Sequence, residues 1–318
     1  MIEFGNSITL ANRENDLLAI GELLIDMISA EYGDHIESSM YHKFFGGSPA
    51  NIVMNTKKLG INSRLASAVG VDGLGSFLLN RVGSAGVDTD LIQQVEHSTS
   101  MVVVTKSLGT PIPIFYRDAD YRLSYTAELD QAVKNSKIIH FSCWSVSRTP
   151  VRHTMEEVIK QARTYDCLIC FDPNYHHMLW EKDEDGIEYI KSLIGKVDIV
   201  KPSEDDAERL FGKDSHRNQI DKFLSLGAKL VIMTLGREGA IVSNGQETIQ
   251  FDTLADQIVD TTGAGDAFWS GFYSGLVKGY TLQQSLNLGF AVSAYKLKFL
   301  GAVIDLPQLE EIRQMYSL

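Results

Sequence analysis

Val259-Asp260-Thr261-Thr262-Gly263-Ala264-Gly265-Asp266-Ala267-Phe268 leads without a break into the helical pattern Phe268–Lys278. Gly263, Ala264 and Gly265 are small enough to let successive amides converge where that helix begins. A helix start carries unpaired N–H groups and the positive end of the helix dipole, so the run reads as an anion cradle. Asp266 falls in the first helical turn. A carboxylate there commonly serves as a dipole or capping partner. Beside a cradle shaped for phosphate it can also take the proton from a hydroxyl nucleophile while the amides hold the migrating group.

Outward from this run, apolar strand patterns alternate with helical ones over most of the chain, an α/β signature. Strands are predicted over Leu17–Ile25, Ser63–Val69, Lys137–Phe141, Cys167–Phe171, Asp198–Val200 and Leu230–Thr234; several are apolar on both faces, as a covered parallel sheet requires. Helices are predicted over Pro49–Leu59, Ser76–Ala85, Val151–Thr164, Ile187–Gly195, Asp205–Phe211 and Gln219–Leu226. Two stretches, 31–44 and 98–125, break the rhythm with β-prone alternation such as Met101-Val102-Val103-Val104-Thr105. They are expected to form a small β lid over the C-terminal edge of the main sheet, where open α/β sheets bind ligands. Residues 1–30, 45–97 and 126–318 would form the main α/β domain.

With 318 residues, 44% of them hydrophobic and 22% charged, the chain can bury a sizeable core. Its 29 basic residues face 41 acidic ones, a net charge of −12, and no basic stripe follows a phosphate backbone, so nucleic acid is not an expected partner. A polyanionic ligand would have to be met locally, by amides and a few cations, against the global field. No apolar window is long enough to span a membrane and no signal peptide opens the chain; a cytoplasmic location is expected. Of three cysteines, Cys167 and Cys170 form a C-x-x-C whose thiols fall on opposite faces of a strand, which favours buried core over zinc or redox chemistry.

The run 259–268 resembles the C-terminal signature of the ribokinase-like (PfkB) family of carbohydrate kinases, and separated motifs in the right order agree with it over residues 17–305. Phe45-Gly46-Gly47-Ser48-Pro49-Ala50-Asn51 resembles the N-terminal Gly-Gly-x-x-Ala-Asn signature, and Gly21-Glu22-Leu23-Leu24-Ile25-Asp26 the first strand ending in a sugar-binding Asp. The resemblance implies a three-layer α/β/α fold and an ATP- and Mg²⁺-dependent sugar kinase. Asp266 would be the base, the amides of Gly263, Ala264, Gly265 and Asp266 the anion hole, and Asp26, Gly46, Gly47 and Asn51 the sugar's hydroxyl partners. A strand-end turn for Asp26 and an N-terminal helix turn around Ser48-Pro49 explain the same residues without a ligand.

Thr234-Leu235-Gly236-Arg237-Glu238-Gly239 resembles the family's nucleotide loop, which implies phosphate contacts for Thr234 and Gly236 with Gly239 closing the turn; alone it is a hairpin turn. Lys201-Pro202-Ser203-Glu204-Asp205-Asp206 is similar to the Asn-x-x-Glu region, implying nucleotide contacts for Lys201 and Ser203 and an indirect Mg²⁺ role for Glu204 and Asp206; Ser203 and Asp206 equally fit an N-cap pattern. Asn287 and Ala291 fall in the region that lines the adenine pocket of relatives, and Asp260 and Thr262 correspond to donors of a monovalent-cation (K⁺) site in ribokinases. In Phe115-Tyr116-Arg117 the cation Arg117 stands where a lid could touch sugar or phosphate, and surface packing accounts for it equally well. Phe171-Asp172-Pro173-Asn174-Tyr175-His176 resembles a stretch of fructokinases and 2-keto-3-deoxygluconate kinases, with His176 in place of Arg; a mostly neutral imidazole argues against an aldonic-acid substrate.

Fructose is the expected acceptor, since Gly21–Met27 and Gly46–Asn51 resemble fructokinase versions of these motifs; 2-keto-3-deoxygluconate and other sugars or nucleosides stay open. A catalytically silent sugar-binding regulator on the same fold is the reading from another class. A dinucleotide dehydrogenase would need Gly-x-Gly-x-x-Gly after the first strand, where Gly21-Glu22-Leu23-Leu24 stands instead. Lid edges in relatives pair across a two-fold, so a homodimer is expected.

Overall fold

The computed structural model describes residues 2–32, 38–106 and 113–318. The N-terminal part runs β1 (Asn15–Ile20), β2 (Leu24–Tyr32), β3 (Tyr41–Gly46), α1 (Ser48–Lys58), β4 (Ser63–Gly70), α2 (Gly73–Ser84), β5 (Ile92–Val95), β6 (Met101–Lys106) and β7 (Ile114–Tyr116). The middle runs α3 (Ala127–Lys134), β8 (Ser136–Ser142), α4 (Val151–Thr164), β9 (Leu168–Asp172), α5 (Ile187–Ile194), β10 (Ile199–Val200), α6 (Glu204–Phe211), α7 (His216–Ser225) and β11 (Leu230–Thr234). The hairpin β12 (Ala240–Ser243) and β13 (Thr248–Phe251) and the helices α8 (Ala264–Val277), α9 (Leu282–Lys296) and α10 (Leu309–Met315) complete it.

One sheet has the order β13-β12-β11-β10-β9-β8-β1-β4-β5. It is parallel from β11 to β5, with β12 and β13 added antiparallel at one edge. Helices cover both faces, which is why its strands are apolar on both sides. Leu18, Ile139 and Phe171 pack into one cluster with α4 and α5, while their strand neighbours Leu17, Ile138 and Cys170 pack into another with Trp269 and Phe272 of α8. Cys170 and Cys167 fall in these opposite clusters, both buried and unpaired. Among the described residues no helix is long and apolar enough to cross a membrane.

The second sheet, β3-β2-β6-β7, is the small sheet expected of the lid, and it begins at Leu24 rather than Glu31. The apolar run Leu17–Ile25 is therefore two strands, one in each sheet. The division falls at Gly21, where the start of α1 presses so close that a Cβ would stand 2.9 Å from Pro49 Cγ. Asp26 lies within β2, not at the end of the first main-sheet strand. Residues 33–37 and 107–112 of the two lid stretches lie outside the described residues. After β7 the chain leaves the small sheet: Ala119 and Asp120 are buried and Leu123 joins the core with β8 and α4.

Candidate active site

α8 is buried nearly all round from Ala267 to Leu276, so it is a core helix, and only its N-terminus reaches a surface cleft. Gly263 is its N-cap with φ 74°, a left-handed conformation that glycine adopts without steric cost. Ala264 N–H donates to the Thr261 carbonyl (3.1 Å). The amide of Ala264 is thus spent on the turn, and the amides of Gly265 and Asp266, in the first turn with no intrahelical acceptor, remain for an anion.

Asp266 is partly buried, and both its oxygens are held from the first turn of α1. Ser48 Oγ donates to Oδ1 (2.6 Å) and Asn51 Nδ2 to Oδ2 (2.9 Å). Burial pushes its pKa above the ordinary carboxylate value, opposed by these two hydrogen bonds. Asn51 Oδ1 is buried with no partner among the described residues. Gly47, the N-cap of α1, has φ 116°, and a Cβ on it would overlap the Glu22 carbonyl; a Cβ on Gly46 would overlap the Asp26 carboxylate. Asp26, Gly46, Gly47, Asn51 and Asp266 are therefore contiguous, across the joint between the two sheets. Asp26 accepts no hydrogen bond from the described residues, and burial raises its pKa to about 7.

On the other side of Gly265 lies a cleft of about 700 Å³. Lys201, Thr234, Gly236, Gly239 and Gly265, to which the resemblance gives nucleotide roles, line it together with Arg237 and Thr261. Lys201 is buried, with Nζ 2.9 Å from Asp172 Oδ2 and 3.6 Å from where a Gly265 Cβ would stand, so a cation flanks the amide cradle. Trp269 Nε1 donates to the same Asp172 oxygen (2.8 Å). These groups meet the local-charge requirement that a net charge of −12 imposes on a polyanion site.

Several residues singled out by motif lie elsewhere. Ala291 is fully buried between helices, and Asn287 is a turn away from the cleft wall; α9 instead presents Phe290, Ser293, Ala294 and Leu297, the i, i+3, i+4, i+7 face one residue round. Ser203 caps α6 in a capping box with Asp206 and does not line the cleft. Asp206 is buried and accepts from Ser203 N and Oγ and from Tyr175 N, while exposed Glu204 faces His216 at 3.8 Å. Among the described residues no three His, Cys, Asp or Glu side chains group as a metal cage, so these two do not fit direct Mg²⁺ ligation. Arg117 is buried with all five donors spent: two on Asp120, one each on Ser147 Oγ and the Trp144 and Leu179 carbonyls. It fixes the chain that follows β7, with no donor left for a ligand.

The implied monovalent-cation site does not fit either. The Asp260 carbonyl accepts from Lys296 Nζ (2.7 Å), and the Asp260 carboxylate accepts from Thr262 N (2.9 Å) and Gly301 N (2.7 Å). Three residues of the site carry no motif-based role. Ser48 stands inside the Gly-Gly-Ser-Pro sequence, where its position beside the glycines was the available signal. Asp172 stands in the Phe171–His176 stretch without an assigned role, and the structure makes it the partner of Lys201. Glu22 lies behind the Gly47–Ser48 turn: buried, it accepts from Ser48 N (3.1 Å), and burial lifts its pKa to about 8, with Asp266 adding to the rise. His176 rests edge-on against Phe115 (5.4 Å), and burial lowers its pKa, so the imidazole is neutral.

A carboxylate and free amides at one helix start, with a nucleotide-sized cleft on one side and a hollow walled by Asp26, Gly46, Gly47 and Asn51 on the other, suit phosphoryl transfer. The chain belongs to the pfkB family of carbohydrate kinases, whose model matches residues 14–309, and it is a sugar kinase. Over 318 residues it is 61% identical to the ATP-dependent 6-phosphofructokinase of Thermoanaerobacterium thermosaccharolyticum, covering 100% of this chain and 99% of that protein. The structure of Halothermothrix orenii fructokinase is similar at a TM-score of 0.78 and 42% identity, covering 86% of this chain and 97% of that one. An uncharacterised sugar kinase from Pyrococcus horikoshii, solved in complex with ATP, matches at a TM-score of 0.81 and 30% identity, covering 94% and 97%.

Proposed function

We propose that the chain transfers the γ-phosphoryl group of ATP to a hydroxyl of a fructose-configured sugar, with fructose 6-phosphate as the acceptor. The observation that carries the chemistry is Asp266, held by Ser48 and Asn51 at the point where hollow and cleft meet. Its raised basicity suits proton removal from the attacking hydroxyl, and the Gly265 and Asp266 amides with Lys201 offset charge on the transferring group. Mg²⁺ would enter with the nucleotide, supplying further charge neutralisation at its phosphates. The phosphorylated acceptor rests on the 61% identical 6-phosphofructokinase; the 42% identical fructokinase supports free fructose as the second reading. An ADP-release assay should give a higher kcat/KM for fructose 6-phosphate than for fructose, and the reverse order would select the second reading.

Asp26 supplies the sugar's other anchor in this proposal. Only its ionised form accepts two hydroxyl hydrogens, so sugar affinity by calorimetry should rise as pH climbs through about 7 and level off above it. Asp26→Asn should remove that step and weaken binding about 10- to 100-fold. A variant with the parent's pH profile would detach Asp26 from the sugar. A homodimer is part of the same reading, supported by Phe44, Ile114 and Tyr116 standing exposed on β3 and β7, the outer strands of the small sheet. Sedimentation as a monomer at assay concentration would remove it.

A further inference from the structure

Lys296 is the least ordinary lysine in the molecule. It ends α9, its side chain has 0% exposure, and its ammonium sits against the carbonyl of Asp260 (2.7 Å) with the Asp260 carboxylate at 3.9 Å. A buried ammonium persists only where fixed acceptors replace its water, so these contacts are structural necessities rather than a surface pairing. The place is also specific. Asp260 begins the loop that ends in the Gly263 cap, and several hydrogen bonds tie that loop to the end of α9 and the segment after it. Val259 N and Asp260 N donate to the Leu297 carbonyl (2.7 and 3.3 Å). The Asp260 carboxylate spans from Thr262 N to Gly301 N, and Ser293 Oγ donates to the Ala264 carbonyl (3.0 Å). Gly263 lies so close to the next segment that a Cβ would stand 2.7 Å from Ala302 Cα.

We propose that Lys296 is a positioning residue: its ammonium is a covalently tethered cation that holds the Asp260–Gly263 loop, and through it the Gly265 and Asp266 amides, in place of a dissociable monovalent ion. Two consequences separate this from packing alone. Turnover of the parent enzyme is indifferent to K⁺, because the carbonyl that would ligate it is already bonded. Removing the ammonium while leaving room for an ion makes the loop depend on one.

The test uses the full chain with ATP and whichever sugar phosphate or sugar it turns over. Parent kcat and melting temperature should be the same in potassium chloride and in tetramethylammonium chloride at equal ionic strength. Lys296→Ala should lower kcat about 100-fold, the scale of a misplaced reacting group, with a smaller change in KM for ATP. Potassium or ammonium ions should restore part of that kcat and raise the variant's melting temperature, and tetramethylammonium, too large for the vacated space, should do neither. Lys296→Met fills the space without charge, and should lose kcat with no rescue by any ion. Activation or thermal stabilisation of the parent by potassium overturns the proposal even if both variants fail to fold. So does a folded Lys296→Met enzyme with the parent's kcat.

Discussion

Asp266→Asn is expected to lose about 10²- to 10⁴-fold in kcat, the range a positioned general base contributes, while ATP affinity stays near that of the parent. In the proposed reaction the carboxylate meets the attacking hydroxyl, while the groups that line the neighbouring cleft, Lys201 among them, are left in place by the substitution. The fold should tolerate the change for a specific reason. Asn51 now donates its Nδ2 to Asp266 and leaves Oδ1 without a partner; turning its amide over presents Oδ1 to the new side-chain NH₂ and restores complementarity. Glu22 is too basic and too enclosed to take over as an alternative base, since its pKa of about 8 keeps it protonated at neutral pH and Ser48 N already bonds to it. The measurement is kcat by ADP release beside ATP binding by calorimetry. Undiminished kcat would remove Asp266 from the base role; lost ATP binding with it would mean that the residue shapes the cradle instead.

How much of this was legible in the sequence depends on whether a feature is local. The glycine-rich start of α8 and the Gly46–Asn51 turn specify their own backbone, so both helix starts with their glycine N-caps are readable in a few residues. Helix Val151–Thr164 and strand Leu230–Thr234 likewise match their predicted bounds, because an amphipathic repeat and an apolar run mark them. Direction changes and phases are not local. Leu17–Ile25 is one apolar run by composition, and only the approach of Pro49 to Gly21 sends its second half into another sheet. α9 is apolar on most sides, so nothing in its sequence says that Phe290 rather than Ala291 faces the cleft. Arg117 is beside aromatics in sequence as a ligand-binding cation would be, yet Asp120, one helical turn on, and two distant carbonyls claim it. A lysine in the last turn of a helix reads as a favourable dipole partner, and its burial against a residue 36 positions away is a tertiary fact.

Gly263→Ala should be strongly damaging although it removes no functional group. At φ 74° a side chain costs about 1–3 kcal/mol in backbone strain alone. The added methyl would also stand 2.7 Å from Ala302 Cα and Cβ, a distance that real Cβ contacts do not show. Backbone lies on both sides of that overlap, so no rotamer relieves it; the 260–263 loop must move away from the 301–302 segment. That motion pulls on the bond from Gly301 N to the Asp260 carboxylate and on the contact with Lys296, and it turns the first amides of α8 from their shared focus. The expected result is a lower melting temperature together with kcat down about 100-fold, since a misplacement of about 1 Å at the transferring group suffices for that. The two readouts are informative as a pair. A stability loss with unchanged kcat would mean that the cradle does not depend on this loop, and the positioning role of Lys296 would then have no route to the reaction. A kcat loss partly restored by Ala302→Gly in the same chain would locate the damage in the overlap, because that second change removes the Cβ contact and leaves the contact with the residue 302 Cα and the strain at φ 74°.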